Sequence, residues 1–291
     1  MLLSFASATA LVIACGGSSG NEGGADAGDN NPADAGVLAG EWAPLVTGAW
    51  TLAPGGENTG DNHSITLDRD IYVGAIRPIE PVGTHHTLLS MDGVSAGIVY
   101  ASGVGTNAVV FPEGVGLKLS AGSRLNLQLH IYNTSENSIS GTSGVEIVEV
   151  AEEDVVHVAD LFLAGPLGFA LPPGQETVHA GTCAVTQEQT IFALFPHMHQ
   201  LGTHFKMSVT KGGSEQMVHN DSYNFEEQAF TVFEPITLSP GDTINTECTW
   251  FNTIGQNVGW GDSSDSEMCF SILYRYPAAT GSDFCDNGFT P

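Results

Sequence analysis

The chain has 291 residues, of which 33 are acidic and seven are basic, so its formal net charge is -26 at pH 7. Nucleic acids and anionic lipid headgroups bind to basic surfaces, so this charge argues against both as partners. The length is sufficient for one large or two medium-sized domains with buried cores.

The first 38 residues predict an export signal and a tether. Residues 2–14 are small and apolar, and they are too few to span a bilayer as a helix. Cys15 follows them and precedes a Gly/Ser-rich tract, which resembles the lipobox of bacterial lipoproteins. We therefore expect a signal peptide with a lipobox over 1–15, export, and anchoring to the bacterial cell envelope through a lipid on Cys15. No basic residue precedes the apolar run, so a late-assigned start, an atypical signal or a buried first strand stays open. Residues 16–38 are rich in Gly, Ala, Asp and Asn and predict a disordered tether.

From about residue 40 onwards the sequence predicts β-strands. Short apolar or alternating runs recur between Gly, Pro, Asn and Asp residues, and no window has the period of a long amphipathic helix. Many short strands without helices between them predict an all-β fold of sandwiches or jelly rolls. The segment Leu163–Gly168 separates two strand-rich halves, so we predict domains over 39–165 and 166–291. The runs are Ser64–Leu67, Gly97–Tyr100, Leu125–Tyr132, Val145–Val150, Ile191–Leu194, Phe205–Val209 and Phe230–Phe233.

His197 and His199 lie two residues apart in an apolar run that predicts a strand. Side chains at this spacing project from the same face, so the two imidazoles can bind one metal ion. A metal-hydrolase barrel is disfavoured because its helices are missing from the pattern. A cupin usually has a glutamate shortly after the second histidine, but Gln200–Thr203 contains none.

Four further residues fit the same chemistry. His85 and His86 are adjacent, so in a regular strand they would face opposite sides and share a metal only where the backbone bends. Gly83, just before them, makes such a bend accessible. His130 is either a core histidine or a ligand, and Met268 alone is more often a core residue. Imidazole together with a thioether favours copper. Four single histidines are expected to have ordinary surface or packing roles: His63, His157, His179 and His219. His204 lies five residues beyond His199, and a structural role is favoured for it over a second-shell role.

The order His-His, Gln-x-His, His-x-His, Glu-Met-Cys resembles the copper type II, ascorbate-dependent monooxygenases, the family of peptidylglycine α-hydroxylating monooxygenase and dopamine β-monooxygenase. The resemblance extends over roughly residues 40–290. Leu238–Asp242 and Cys248–Thr253 are similar to the dopamine-type branch. The resemblance implies two tandem jelly-roll-like β-sandwich domains that face each other across a solvent-filled cleft, with two copper ions per chain, one in each domain.

The resemblance also implies a ligand set and a reaction. The electron-transfer copper would be bound by His85, His86 and His130 in the first domain, with Gln128 in its second shell. The catalytic copper would be bound by His197, His199 and Met268 in the second domain. The implied reaction is hydroxylation of a substrate C–H bond with dioxygen and ascorbate, or another one-electron reductant, as co-substrates.

Two departures from the family pattern concern the substrate. Peptidylglycine enzymes have an arginine two residues before the His-x-His pair, where this chain has Phe195. After Met-Cys they have an asparagine and then a tyrosine, where this chain has Phe270–Ile272. An arginine can hold a carboxylate through two hydrogen bonds and a phenylalanine cannot. We therefore expect a small neutral or aromatic substrate, not a peptidylglycine. We also expect a monomeric enzyme. The alternative is a non-catalytic copper-binding surface lipoprotein.

Apart from Cys15, the cysteines are Cys183, Cys248, Cys269 and Cys285. An even number in an exported chain favours two disulfides, with three possible pairings. A zinc site is disfavoured because the sequence contains no Cys-x-x-Cys. The family resemblance implies the pairs Cys248–Cys269 and Cys183–Cys285.

Overall fold

The structure is a computed structural model, and it describes residues 40–92, 97–261, 265–279 and 284–285. The expected signal peptide, Cys15 and the whole predicted tether lie outside these residues. Within the part that the structure describes, no helix is long and apolar enough to cross a membrane.

Among the described residues, the helical elements are two single turns of 3-10 helix, at Glu152–Asp154 and Phe225–Glu227, and the other regular elements are β-strands. The all-β prediction is therefore confirmed. The strands are β1 Ala43–Leu52, β2 Glu57–Thr66, β3 Ile71–Ile79, β4 Thr84–Met91, β5 Ile98–Ser102, β6 Val109–Val110, β7 Val115–Leu119, β8 Arg124–Tyr132, β9 Ile139–Glu149, β10 His157–Ala164, β11 Ala170–Leu171, β12 Glu176–Ala184, β13 Gln189–Met198, β14 Gly202–Lys211, β15 Ser214–Ser222, β16 Thr231–Leu238, β17 Thr243–Phe251, β18 Val258–Gly259 and β19 Cys269–Tyr276.

The strands assemble into one large sheet and three smaller ones. The large sheet has the order β1-β9-β3-β7-β10-β19-β13-β16, with β6 paired to β3. The smaller sheets are β2-β8-β4-β5, β12-β17-β14-β15 and β11-β18. Strand β10 pairs in parallel with β7 and antiparallel with β19. The large sheet therefore continues from strands of the first half into strands of the second, and the predicted boundary at residue 165 stays a prediction.

Strand β8 shows why polar residues face outwards from the first small sheet. Leu125, Leu127, Leu129 and Ile131 are fully buried and alternate with more exposed residues. Successive side chains of a strand point to opposite faces, so the apolar set packs in the core and His130 faces the other side.

Both disulfides implied by the family resemblance are present. Cys183 of β12 is joined to Cys285 near the chain end, and Cys248 of β17 is joined to Cys269 of β19. The closed loops span 102 and 21 residues. Loops of this size stabilise a fold by about 3–5 kcal/mol in the chain-entropy model. The second bridge fixes the residue that directly follows Met268.

Candidate metal centres

The first centre is formed by three imidazoles from two neighbouring strands. His85 and His86 lie on β4 and His130 lies on β8, and one nitrogen from each ring lies within 4.8 Å of the other two. The β4–β8 register shifts between Thr84 and His86, and His86 pairs with His130. This β-bulge turns both adjacent histidines towards the same side, which a regular strand does not allow.

Gly83 is needed for this local geometry. Its φ of +106° is unfavourable for residues with a side chain. A Cβ at this position would also lie 2.8 Å from the Trp50 ring and 2.8 Å from the Ile139 methyl group. Trp50 is itself held by a 2.7 Å hydrogen bond from its Nε1 to Ser143 Oγ. Glycine therefore lets the chain enter β4 directly against the core.

Hydrogen bonds indicate which nitrogens of the first centre are available to a metal. His130 Nε2 lies 2.8 Å from Glu57 Oε1, and since an ionised carboxylate only accepts, Nε2 donates and Nδ1 keeps its lone pair. His130 Nδ1 lies 3.3 Å from His85 Nδ1. His86 Nε2 is buried and has no hydrogen-bond partner among the described residues. Burial, with the neighbouring His85 and His130, lowers the pKa of His86 to about 4. At neutral pH this imidazole is uncharged, as a metal ligand must be.

The second centre lies at the end of β13. The ring centroids of His197 and His199 are 5.3 Å apart. His197 Nδ1 lies 3.0 Å from Gln228 Oε1, and His199 Nδ1 lies 2.7 Å from the carbonyl oxygen of Ser266. A carbonyl oxygen accepts, so both rings carry hydrogen on Nδ1 and present an Nε2 lone pair. Burial and the neighbouring His199 lower the pKa of His197 to about 4.

Met268 directly precedes β19. The last pairs of the β13–β19 ladder are His197 with Phe270 and Met198 with Cys269. Met268 and His199 are the next residues beyond the last pair of this ladder. Met268 is partly buried against the core, so both a packing role and a ligand role are compatible with its position.

Glu267 is a residue of this centre to which sequence reasoning assigned no role. Its side chain is only 1% exposed and accepts three N–H bonds: from the backbone of His199 at 2.9 Å, from the backbone of Leu201 at 2.7 Å, and from Trp250 Nε1 at 2.9 Å. Burial raises the pKa of Glu267, and the three donors oppose that shift. The carboxylate thereby fixes the backbone on both sides of Gln200. The available signal in the sequence was an acidic residue directly before the Met-Cys pair.

Gln128 lies two residues before His130 on the same face of β8 and is exposed. Its second-shell role stays a prediction. Glu57 contacts the imidazole of His130 and Gln228 contacts that of His197, and the sequence pattern did not single out either residue.

Imidazoles and a thioether fit copper. Nitrogen donors accept several divalent metals, whereas a soft sulfur donor favours Cu(I). The unpartnered Nε2 of His86 and the Nε2 lone pairs of His197 and His199 match this donor set.

Residues 158–291 match the model of the C-terminal domain of the copper type II ascorbate-dependent monooxygenases. This part of the chain is therefore similar to that monooxygenase family. The matched segment contains His197, His199 and Met268, and therefore the entire second centre.

Proteins similar to this chain include peptidyl-glycine alpha-amidating monooxygenase A of Xenopus laevis. It is 28% identical over 250 residues, which cover 77% of this chain and 27% of the relative. DBH-like monooxygenase protein 1 of Homo sapiens is 29% identical over 206 residues, covering 62% of this chain and 33% of the relative. The chain thus spans about a third or less of the length of these relatives. A turret protein of Sulfolobus turreted icosahedral virus aligns over 81% of this chain and 98% of the turret protein at 13% identity. The TM-score is 0.21, which is too low to indicate a shared fold.

Proposed function

We propose that this protein is a copper-dependent monooxygenase that hydroxylates a C–H bond of a small neutral or aromatic substrate. Its co-substrates would be dioxygen and a one-electron reductant such as ascorbate. The observation that supports this most strongly is the pair of separate donor sets. Three imidazoles converge on β4 and β8, and two further imidazoles lie together where β13 ends, with Met268 directly before the paired strand β19.

Bound copper would supply one-electron redox chemistry and the binding of dioxygen. Hydrogen-bond partners orient three of the candidate donors. Glu57 accepts from His130, Gln228 accepts from His197, and the Ser266 carbonyl accepts from His199. Partners of this kind orient ligand rings and increase their basicity. A chain that merely stored copper would have no need for two chemically different centres, so the arrangement favours the enzyme over the copper-binding lipoprotein.

The basic residues support a substrate without a carboxylate. All seven basic residues belong to the described part of the chain, and five of them are bonded elsewhere: Arg69 to Glu149, Arg77 to Glu146, Lys118 to Asp70, Arg124 to Ser64 and Arg275 to Asp160. The other two, Lys206 and Lys211, lie along β14. Phe195 is 3% exposed and packs between His197 and Phe230. Apolar surface and not a guanidinium therefore neighbours the second centre.

The test is oxygen consumption by copper-loaded protein with ascorbate, combined with mass spectrometry of candidate neutral and aromatic substrates. His130→Ala should abolish multiple turnover while leaving oxygen reactivity at the second centre, and His197→Ala should abolish both. His179→Gln is the matched control, because His179 packs against Phe169 outside both centres. Stoichiometric copper binding without oxygen consumption would refute the enzyme and support the copper-binding alternative.

We further propose that the protein is exported, is anchored through a lipid on Cys15, and acts as a monomer. The apolar run before Cys15 and two disulfides support export, because disulfides form in oxidising compartments. Cys15→Ser should move the protein from the membrane fraction to the soluble fraction, and sedimentation should give the mass of one chain. A Cys15→Ser protein that stays in the membrane fraction would contradict the lipid anchor.

A further inference from the structure

A short segment between β15 and β16 contacts residues of both centres. We call residues Asn224–Phe230 the strap. Its backbone is anchored to the first half of the chain: Gly103 N and Thr106 Oγ1 donate to the carbonyl oxygen of Gln228, at 2.9 and 3.1 Å. A Cβ on Gly103 would lie 2.7 Å from that oxygen, so the close approach requires glycine.

The side chain of Gln228 has both of its polar atoms engaged. It is 7% exposed. Its Nε2 donates to the carbonyl oxygen of Phe225 at 3.0 Å, and its Oε1 lies 3.0 Å from His197 Nδ1. Reversing the amide would place oxygen against the Phe225 carbonyl, so its orientation is determined. The amide therefore selects the His197 tautomer with hydrogen on Nδ1 and leaves Nε2 for a metal.

The same strap reaches the first centre through Phe225. The His86 imidazole forms a hydrogen bond with the Phe225 backbone. This bond raises the pKa of His86, although burial lowers it by more. The Phe225 ring lies 5.4 Å from the His86 ring and 6.3 Å from the His199 ring. One imidazole of each centre is thus connected through a single peptide group and a single amide side chain.

We propose that Gln228 is a positioning residue that couples the two centres: it sets the tautomer of His197 and holds the Phe225 carbonyl that contacts His86. Only the effect of Gln228 on turnover rests on the proposed copper chemistry. The coupling itself is a property of the metal-free chain and is tested there.

The test compares Gln228→Leu and Gln228→Glu with wild type by nitrogen-15 NMR of the histidine rings in the copper-free full chain. Leu removes both hydrogen bonds, so His197 should lose its preference for hydrogen on Nδ1 and the His86 resonances should shift. Glu keeps the acceptor for His197 but places oxygen against the Phe225 carbonyl. It should preserve the His197 tautomer while the His86 resonances still shift. Gln216→Leu, the same change at an exposed position of β15, should alter neither ring.

The second readout is copper affinity at each centre, measured by competition with a chelator. Gln228→Leu should weaken copper binding at the second centre about 10–100-fold, the usual effect of losing a partner of a ligand histidine. Gln228→Glu should restore most of that affinity. An unchanged His197 tautomer in Gln228→Leu would overturn the proposal, as would unchanged His86 resonances or equal affinities for Leu and Glu. Inactivity of copper-loaded wild type would instead refute the proposed function and leave the tautomer result standing.

Discussion

Replacing Glu267 should damage both the fold and the second centre, and the expected size follows from its three donors. Glu267→Ala leaves the N–H groups of His199, Leu201 and Trp250 without their acceptor inside the protein. Each unsatisfied buried donor costs about 1–3 kcal/mol, so the free energy of unfolding should fall by about 3–9 kcal/mol. A typical domain has only about 5–15 kcal/mol in total, so this variant should be close to unfolding.

Glu267→Gln separates the charge from the hydrogen bonds. The remaining amide oxygen can accept from His199 and Trp250, which share one carboxylate oxygen, while the new amide NH₂ faces the Leu201 N–H. One donor is then unsatisfied, and the expected loss is about 1–3 kcal/mol.

The assay is urea unfolding of the copper-free protein, because bound metal would stabilise the folded state and obscure the difference. Glu176→Gln on the exposed surface of β12 is the control and should stay within about 0.5 kcal/mol of wild type. Ala leaves three donors unsatisfied and Gln leaves one, so the two variants should differ. A loss of less than about 1 kcal/mol in the free energy of unfolding of Glu267→Ala would contradict this, and so would equal losses in the two variants.

Four other substitutions have defined outcomes. Met268→Ala should reduce oxygen consumption far more than copper content, since two imidazoles remain at its centre; metal analysis that finds only one ion per chain in wild type would contradict the two-centre arrangement. Tyr100→Phe should leave stability unchanged or higher, because the buried Tyr100 hydroxyl has no partner among the described residues. Tyr274→Phe should cost about 1 kcal/mol, because the Tyr274 hydroxyl donates to the Val99 carbonyl at 2.7 Å; equal urea midpoints for the two Phe variants would refute this. Burial lowers the pKa of His219 below 6.5, so the folded state binds fewer protons than the unfolded state between the two pKa values, and stability should fall as pH decreases through that window. His219→Gln should flatten this part of the stability profile, and an unchanged slope would contradict the assignment.

The sequence predicted those features that depend on local periodicity. Alternation of apolar residues in β8 was sufficient to predict a half-buried strand. The spacing of His197 and His199 was sufficient to place both rings on one side. Even the bulge at His85 was foreseeable, because two adjacent histidines can share a metal only where a strand is irregular and a glycine preceded them.

What the sequence could not predict are the hydrogen-bond partners that hold the candidate ligand residues in place. Glu57 is 73 residues from His130, Gln228 is 31 residues from His197, and Glu267 is 68 residues from His199. No periodicity connects positions so far apart, and glutamate and glutamine are usually solvated surface residues. The parallel pairing of β7 with β10 could not be predicted either, because the residue pattern of an apolar strand does not depend on which strand it pairs with.

The charge of the chain has a consequence for the proposed reductant. Ascorbate is an anion at neutral pH, and it would approach a protein with a formal charge of -26. Like charges slow encounter, and salt screens this repulsion over a Debye length of about 10 Å at 0.1 M. We therefore expect the rate of copper reduction by ascorbate to increase between low and moderate ionic strength, whereas a neutral hydroquinone should show little dependence on salt. Stopped-flow measurement of both reductants provides the comparison. Arg69, Arg77 and Lys118 are each paired with a carboxylate, which argues against a positive surface around the first centre. A rate of reduction by ascorbate that falls with added salt would indicate such a surface and contradict this expectation.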